Sequence, residues 1–125
     1  MARVVALTAD LLFGSRIEGD LTAAGNDVEL IGDEARLRAR LTEADKPAAD
    51  VLVVDLVDED LHGPALVEAL AAEGMLEQTR TLGFYSHVDT PTRERAEQAG
   101  FDLVVPRSRM AREGAALLTR LAASF

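Results

Sequence analysis

The chain has 125 residues, of which 48% are hydrophobic and 28% are charged, and its formal net charge is −9. This length predicts a single domain over residues 1–125, and the absence of cysteine excludes disulfides, thiolate catalysis and cysteine-ligated metals. The negative charge disfavours contact with nucleic-acid phosphates. Asp10 interrupts the apolar N-terminal run before a signal peptide could form, and no run approaches the roughly 20 apolar residues of a membrane span. We therefore predict a cytoplasmic protein without nucleic-acid or membrane partners.

Short apolar runs typical of strands alternate along the chain with amphipathic helical patterns. Strands are predicted at residues 3–9, 27–31, 51–55, 81–86 and 103–106. Helices are predicted at residues 11–24, after Asp33, from Gly63-Pro64, from Thr90-Pro91 to Gly100, and at residues 110–124. The third strand, "VLVVD", is unbroken in its apolar character, which indicates burial on both faces. Five such units with short connections predict an α/β fold, a doubly wound parallel sheet covered by helices on both faces.

Polar residues follow four of these strands, at the edge where ligands bind in open parallel sheets. Asp10 follows the first strand, Asp55 ends the third, Ser86 ends the fourth and Arg107 follows the fifth. Two carboxylates could share a hard cation such as Mg²⁺, because Mg²⁺ prefers oxygen ligands. Ser86 and Arg107 could then hold anionic oxygens, which predicts a site for a phosphoryl group or its mimic. Each residue could instead simply cap the helix that follows it.

Three stretches carry a resemblance to a known family. "DVLVVDL" is similar to the receiver strand that ends in the phosphoacceptor aspartate, and Gly63 follows Asp55 at the family's spacing of eight residues. "EQAGFDLVVPRS" is similar to the end of the fourth helix and the fifth strand. The chain resembles the receiver domains of bacterial response regulators over essentially its whole length. The resemblance implies a three-layer flavodoxin-like fold with strand order 2-1-3-4-5, and a role in two-component signalling or a phosphorelay.

The resemblance also implies residue roles. Asp55 would be the phosphoacceptor, Asp10 the second acid of a Mg²⁺-binding pair, Ser86 the switch hydroxyl, and Arg107 would stand in the position of the family's lysine. The roles of Asp10 and Ser86 could each fall instead on the preceding residue. Ala9 takes the place of Asp10 unless the first helix is one residue short.

The switch hydroxyl has a similar alternative, since Tyr85 takes the place of Ser86 unless the segment before Gly100 is one residue short.

Several residues depart from the family's pattern. "TAD" offers a single acid after the first strand, Arg107 replaces the lysine, and Ser108 replaces the proline that usually follows it. Asp58 and Glu59 replace a methionine-proline pair. Arginine is a permanent bidentate partner for carboxylates, so an Asp55–Arg107 pair could hold the unmodified aspartate. Such a pair would favour a pseudo-receiver, whereas an open acidic pocket would favour phosphorylation. The missing acid weakens Mg²⁺ binding.

These departures favour a stand-alone receiver-like signalling domain that is not an enzyme. We predict a pseudo-receiver that acts through protein–protein contact with a sensor histidine kinase or an effector. The alternative is a genuine Mg²⁺-dependent phosphoacceptor, phosphorylated on Asp55 by a histidine kinase.

A second alternative is a small metal- or cofactor-binding enzyme of flavodoxin-like fold. His62 and His87 are predicted to lie above the same sheet edge as Asp10 and Asp55, and such a set could ligate Zn²⁺ or Fe²⁺. The acids at residues 58–60 could serve a nuclease, although consecutive loop residues cannot all converge on one metal. The loop "TADLLFGS" lacks the dense Ser/Thr/Gly stretch that cradles a flavin phosphate.

The last helix carries an apolar stripe that could serve a homodimer. Its members are Met110, Gly114, Leu117, Leu118 and Leu121, with Phe125 beyond them. The alternative is that the stripe only packs on the sheet.

Overall fold

The computed structural model describes residues 2–124. The strands are β1 (Arg3–Leu7), β2 (Asp27–Ile31), β3 (Val51–Asp55), β4 (Arg80–Tyr85) and β5 (Leu103–Pro106). The helices are α1 (Leu11–Ala23), α2 (Glu34–Leu41), α3 (Gly63–Ala72), α4 (Thr90–Ala99) and α5 (Arg107–Ala122), with a 3₁₀ turn at Glu59–Leu61 before α3. No helix within these residues is long and apolar enough to cross a membrane.

The five strands form one parallel sheet in the order β2-β1-β3-β4-β5, which confirms the predicted α/β architecture. All five residues of β3 are buried, as its unbroken apolar run predicts. Alternate β3 side chains enter two separate cores, because successive strand residues point to opposite faces. Leu52 and Val54 pack with α2, α3 and α4, whereas Val51 and Val53 pack with α1 and α5.

Two element boundaries near the sheet edge differ from the predicted ones. Strand β1 ends at Leu7, because the hydroxyl of Thr8 accepts the backbone N–H of Asp10 (3.1 Å) and turns the chain into α1. Helix α5 begins at Arg107 rather than at residue 110, directly after Pro106, whose backbone is extended (φ −61°, ψ 147°). Arg107 therefore stands in the first turn of α5, where its position is fixed by the helix.

The apolar stripe of α5 packs inside the chain. Its buried members, Met110, Gly114, Leu117 and Leu118, face the sheet beside α1. They are consequently not available as a dimer face. Leu121 is partly buried against the same core, and Phe125 lies outside the described residues. The homodimer stays a prediction.

Candidate functional site

Asp55 stands at the carboxyl end of the central strand and is almost fully buried, with 3% of its surface exposed. One carboxylate oxygen, Oδ2, accepts a hydrogen bond from the hydroxyl of Thr8 at 2.8 Å. The other, Oδ1, accepts the backbone N–H groups of Val57 (2.8 Å) and Asp58 (3.3 Å). All three donors are uncharged, so hydrogen bonds rather than a cation hold this carboxylate.

Thr8 is the site residue that sequence reasoning missed. It directly follows β1, is 7% exposed, and lies beside Asp55 because Leu7 is in register with Val54 on the neighbouring strand. Its hydroxyl joins two functional positions, since it donates to Asp55 and accepts from the backbone N–H of Asp10. The sequence pattern extends the first strand to residue 9, which places Thr8 inside it, whereas the structure ends β1 at Leu7.

Arg107 is paired with Asp10, not with Asp55, so the Asp55–Arg107 pair that could hold the aspartate does not form. Its Nη2 lies 3.0 Å from Oδ2 of Asp10, and its guanidinium carbon lies 4.2 Å from the ring centroid of Phe13. The physical reason is that α1 and α5 lie on the same face of the sheet, whereas the Asp55 oxygens point to Thr8 and their own loop.

Asp10 itself begins α1. Its Oδ1 accepts the backbone N–H of Phe13 at 3.0 Å, which makes it the N-cap of the helix. The Asp10 and Arg107 side chains are 39% and 43% exposed, so solvent screens their attraction and the pair contributes at most about 1 kcal/mol. The alternative candidate, Ala9, is exposed and has no side-chain group to offer a cation.

Ser86 and Arg107 line one cavity of about 430 Å³ above the carboxyl ends of the strands. Its walls are formed by Phe13, Arg16, Val57, Ser86, His87, Arg107, Ser108 and Ala111. Ser86 is partly exposed, and its backbone carbonyl accepts the N–H of Asp89 (2.8 Å) in the turn before α4. Tyr85 is 6% exposed and belongs to the core on the other face of the sheet. Of the two hydroxyl candidates, the structure therefore turns Ser86 towards the cavity.

The predicted transition-metal site has no ligand set in the described part of the chain. Within residues 2–124, no group of three or more His, Asp or Glu side chains is placed to hold a metal ion. His87 lines the cavity beside Arg107, while His62 stands at the start of α3 in the left-handed conformation (φ 50°, ψ 44°). The acidic loop is a capped 3₁₀ turn, in which Oδ1 of Asp58 accepts the N–H of Asp60 at 3.0 Å.

Comparison with solved structures places this geometry in a known fold. The chemotaxis response regulator CheY4 of Vibrio cholerae matches with a TM-score of 0.77 at 21% identity, over 97% of this chain and 98% of that one. The receiver domain of response regulator 1452 from Francisella matches with a TM-score of 0.78 at 17% identity, over 98% and 97% of the two chains. The chain has the fold of response-regulator receiver domains.

A third receiver fold is described with a cation. The receiver domain of the sensor histidine kinase PA1611 from Pseudomonas aeruginosa, solved with a magnesium ion coordinated in its active-site cleft, matches with a TM-score of 0.79 at 19% identity, over 98% of each chain. No protein-family model matches the chain, and a search of curated proteins finds no match. The likeness is thus one of three-dimensional structure.

The carboxylate oxygens of Asp10 and Asp55, which would hold Mg²⁺, already accept hydrogen bonds from other groups of the chain. Both Asp10 oxygens are engaged, one by the N–H of Phe13 and one by Arg107. Both Asp55 oxygens also accept hydrogen bonds. A cation shared by the two carboxylates would require Arg107 to leave Asp10, because the guanidinium already occupies the anionic side of that group. The magnesium site on Asp10 and Asp55 stays a prediction.

Proposed function

We propose that the chain is a receiver-type signalling domain, not an enzyme, that works through protein–protein contact without phosphorylation of Asp55. The supporting observation is the environment of Asp55. Its carboxylate is 3% exposed and is held by three neutral donors, while the cation expected beside it, Arg107, is bound to Asp10. A pseudo-receiver of this kind keeps the receiver shape as a platform for a partner.

The chemistry of phosphoryl transfer explains why this arrangement disfavours a phosphoacceptor. A carboxylate oxygen must approach phosphorus, and a nearby cation must offset the charge on the transferring group. In this site each Asp55 oxygen is directed at a donor of its own fold. Arg107 lies between Asp10 and the ring of Phe13. Phosphorylation with Mg²⁺ shared by Asp10 and Asp55 would therefore require Arg107 to leave Asp10, whereas signalling through a preformed surface requires no such change.

The decisive experiment is incubation with acetyl phosphate and Mg²⁺, and separately with beryllofluoride and Mg²⁺. We expect no phosphoryl adduct by intact mass and no Mg²⁺-dependent change in the amide NMR spectrum. The double variant Thr8→Asp with Arg107→Lys supplies an acid and a lysine, and we expect it to gain a Mg²⁺-dependent adduct. The same variant with Asp55→Asn is the matched control and should lose that adduct. A wild-type adduct that disappears in Asp55→Asn would overturn the proposal.

The cavity favours the alternative, a Mg²⁺-dependent phosphoacceptor served by a sensor histidine kinase. Ser86 and Arg107 line the same space of about 430 Å³, which could receive a phosphoryl group once Arg107 leaves Asp10. The acetyl phosphate experiment separates the two candidates, because this alternative requires the wild-type adduct on Asp55.

A further inference from the structure

A groove lies between the first turns of α3 and α4, on the face of the sheet opposite α1 and α5. Its volume is about 350 Å³, and small-molecule pockets range over roughly 300–1,000 Å³. Its apolar walls are formed by Leu56, Pro64, Ala65 and Pro91. Leu56 is buried, whereas Ala65 and Pro91 are exposed. This α3–α4 groove shares no residue with the cavity lined by Ser86 and Arg107, so it is a separate site.

Two prolines make the walls of the α3–α4 groove rigid. Pro64 and Pro91 each stand in the first turn of their helix, where a missing N–H removes no hydrogen bond. A proline ring also fixes φ, so the backbone on both sides of the groove needs little further ordering when a ligand binds. The groove is therefore preformed, which lowers the entropic cost of binding.

His62, which also lines the groove, has a strained backbone. Its φ of 50° and ψ of 44° are left-handed, and among residues 2–124 it is the one residue other than glycine with a positive φ. This conformation is costly for a residue that has a Cβ, and strain of this kind clusters at binding sites. The turn thus presents an exposed imidazole to the groove at a position where glycine would suit the backbone better.

Two carboxylates give the groove a negative rim. Asp58 and Glu59 line it beside the apolar walls. Neither takes part in an ion pair found among residues 2–124. Arg95, which lines the groove as well, is paired with Glu68 of α3. The groove therefore presents uncompensated negative charge next to an apolar surface.

We infer that the α3–α4 groove binds a small organic ammonium ion, with its hydrocarbon body against the apolar walls and its charge beside Asp58 and Glu59. The walls supply most of the contact area, and the carboxylates select the sign of the charge. The bound ligand would lie next to the loop of Asp55, because the backbone N–H of Asp58 donates to Oδ1 of Asp55 at 3.3 Å. The inference goes beyond the proposed function and does not depend on whether Asp55 is phosphorylated.

Other occupants fit less well. Helix N-termini attract anions, but Pro64 and Pro91 have no N–H to donate, and Asp89 caps α4 by accepting the N–H of Thr92 at 3.1 Å. An anion would also meet the two carboxylates of the rim. A second copy of the chain would bring two molecules of net charge −9 together at an acidic rim. A cation with an apolar body avoids both repulsions.

The test is a titration of the ¹⁵N-labelled chain at pH 7 with benzylammonium, benzyl alcohol and benzoate, which share one ring and differ in charge. We expect amides within residues 56–65 and 92–95 to shift. Affinity for benzylammonium should exceed that for benzyl alcohol by about threefold to fivefold, and benzoate should bind most weakly. Glu59→Gln should reduce the preference for benzylammonium over benzyl alcohol. Glu77→Gln removes the same charge from the exposed turn before β4, and this matched control should retain the preference.

Ala65→Leu tests the groove itself by filling it. Alanine and leucine are both strong helix formers and Ala65 is exposed, so the fold should persist while benzylammonium and benzyl alcohol both lose affinity. Ala72→Leu, at the exposed end of the same helix and outside the groove, is the control and should bind as wild type does. His62→Gly should raise the thermal midpoint by relieving the strained backbone, while its affinity for both compounds falls.

Equal or higher affinity for benzyl alcohol or benzoate, unchanged binding in Ala65→Leu or in His62→Gly, or shifts confined to the cavity lined by Ser86 and Arg107 would each overturn the inference. Tighter binding of a capped lysine peptide than of benzylammonium would also overturn it, because the occupant would then be a protein side chain. None of these outcomes changes the mass measurement on Asp55, so the two proposals fail separately.

Discussion

Two aspartate–threonine pairs join neighbouring strands, one at the carboxyl ends of the strands and the other at their amino ends, and their surroundings differ. At the carboxyl edge, Asp55 accepts the hydroxyl of Thr8 at 2.8 Å in a buried position. At the amino edge, Oδ2 of Asp102 accepts the backbone N–H of Thr81 at 2.8 Å and its hydroxyl at 3.2 Å. Asp102 is exposed to solvent, and Arg80 lies 3.6 Å from its other oxygen.

This difference indicates that the Asp102 carboxylate has a structural role, whereas the carboxylate of Asp55 needs a further explanation. Water and Arg80 both stabilise the charge of Asp102, so this pair ties β4 to β5 at little cost. Asp55 also links two neighbouring strands, but its charge is removed from water, which costs free energy unless hydrogen bonds compensate. A neutral residue could connect the same strands. The carboxylate at position 55 is thus better explained by a functional role at the carboxyl ends of the strands than by stability alone.

The largest effect is expected from Asp55→Ala. This change leaves the hydroxyl of Thr8 and two backbone N–H groups without their acceptor, and we expect the free energy of unfolding to fall by about 2–3 kcal/mol. Asp55→Asn keeps an acceptor oxygen of the same shape and should cost less than about 1 kcal/mol. Urea denaturation of the three proteins measures both changes. A more stable Asp55→Ala would show that the cost of burying the charge exceeds the value of its hydrogen bonds.

Asp102→Ala is expected to have a smaller effect, about 1 kcal/mol, because water reaches this edge and can satisfy Thr81 in part. The same urea measurement applies, and Asp102→Asn should recover part of the loss. If Asp102→Ala costs as much as Asp55→Ala, burial does not distinguish the two edges.

The smallest effect is expected at an exposed carboxylate that has a cationic partner, Glu68 of α3. A hydrogen bond from Arg95 of α4 lowers the pKa of Glu68 below its ordinary value. A lowered pKa in the folded state gives stability that is complete above the unfolded pKa, about 4.3, and is lost as the pH falls through the folded value. Thermal midpoints of wild type and Glu68→Gln should therefore differ slightly at pH 6, and the difference should shrink as the pH falls below the unfolded pKa. A difference that is constant with pH would exclude this linkage.

Much of the fold could be predicted from the sequence because local signals agree along the chain. The apolar run at Val51–Asp55, the capping Asp33 and the glycine at position 100 each mark an element that the structure contains. Strand order followed from the resemblance to receivers. The ends of β1 and α5 were less accessible, since one depends on the hydroxyl of Thr8 and the other on the backbone of Pro106.

The site was only partly predictable, because pairing depends on which face of the sheet each helix covers. The residues at the strand ends were identified, but Arg107 could reach either Asp10 or Asp55 on spacing alone. Packing of α1 beside α5 decides for Asp10. Thr8 was missed because a hydroxyl carries no charge signal, and its importance arises only from the register between β1 and β3.

The position of Tyr85 has a practical consequence. It is the single tyrosine of a chain without tryptophan, and it is 6% exposed at the end of β4, directly before Ser86. The intrinsic tyrosine fluorescence of the folded protein therefore arises from one ring, packed on the sheet face opposite α1. A molecule bound on the α1 side of the sheet cannot touch that ring directly. Any change in tyrosine emission on such binding would therefore report a conformational change on the opposite face of the sheet, without an added label.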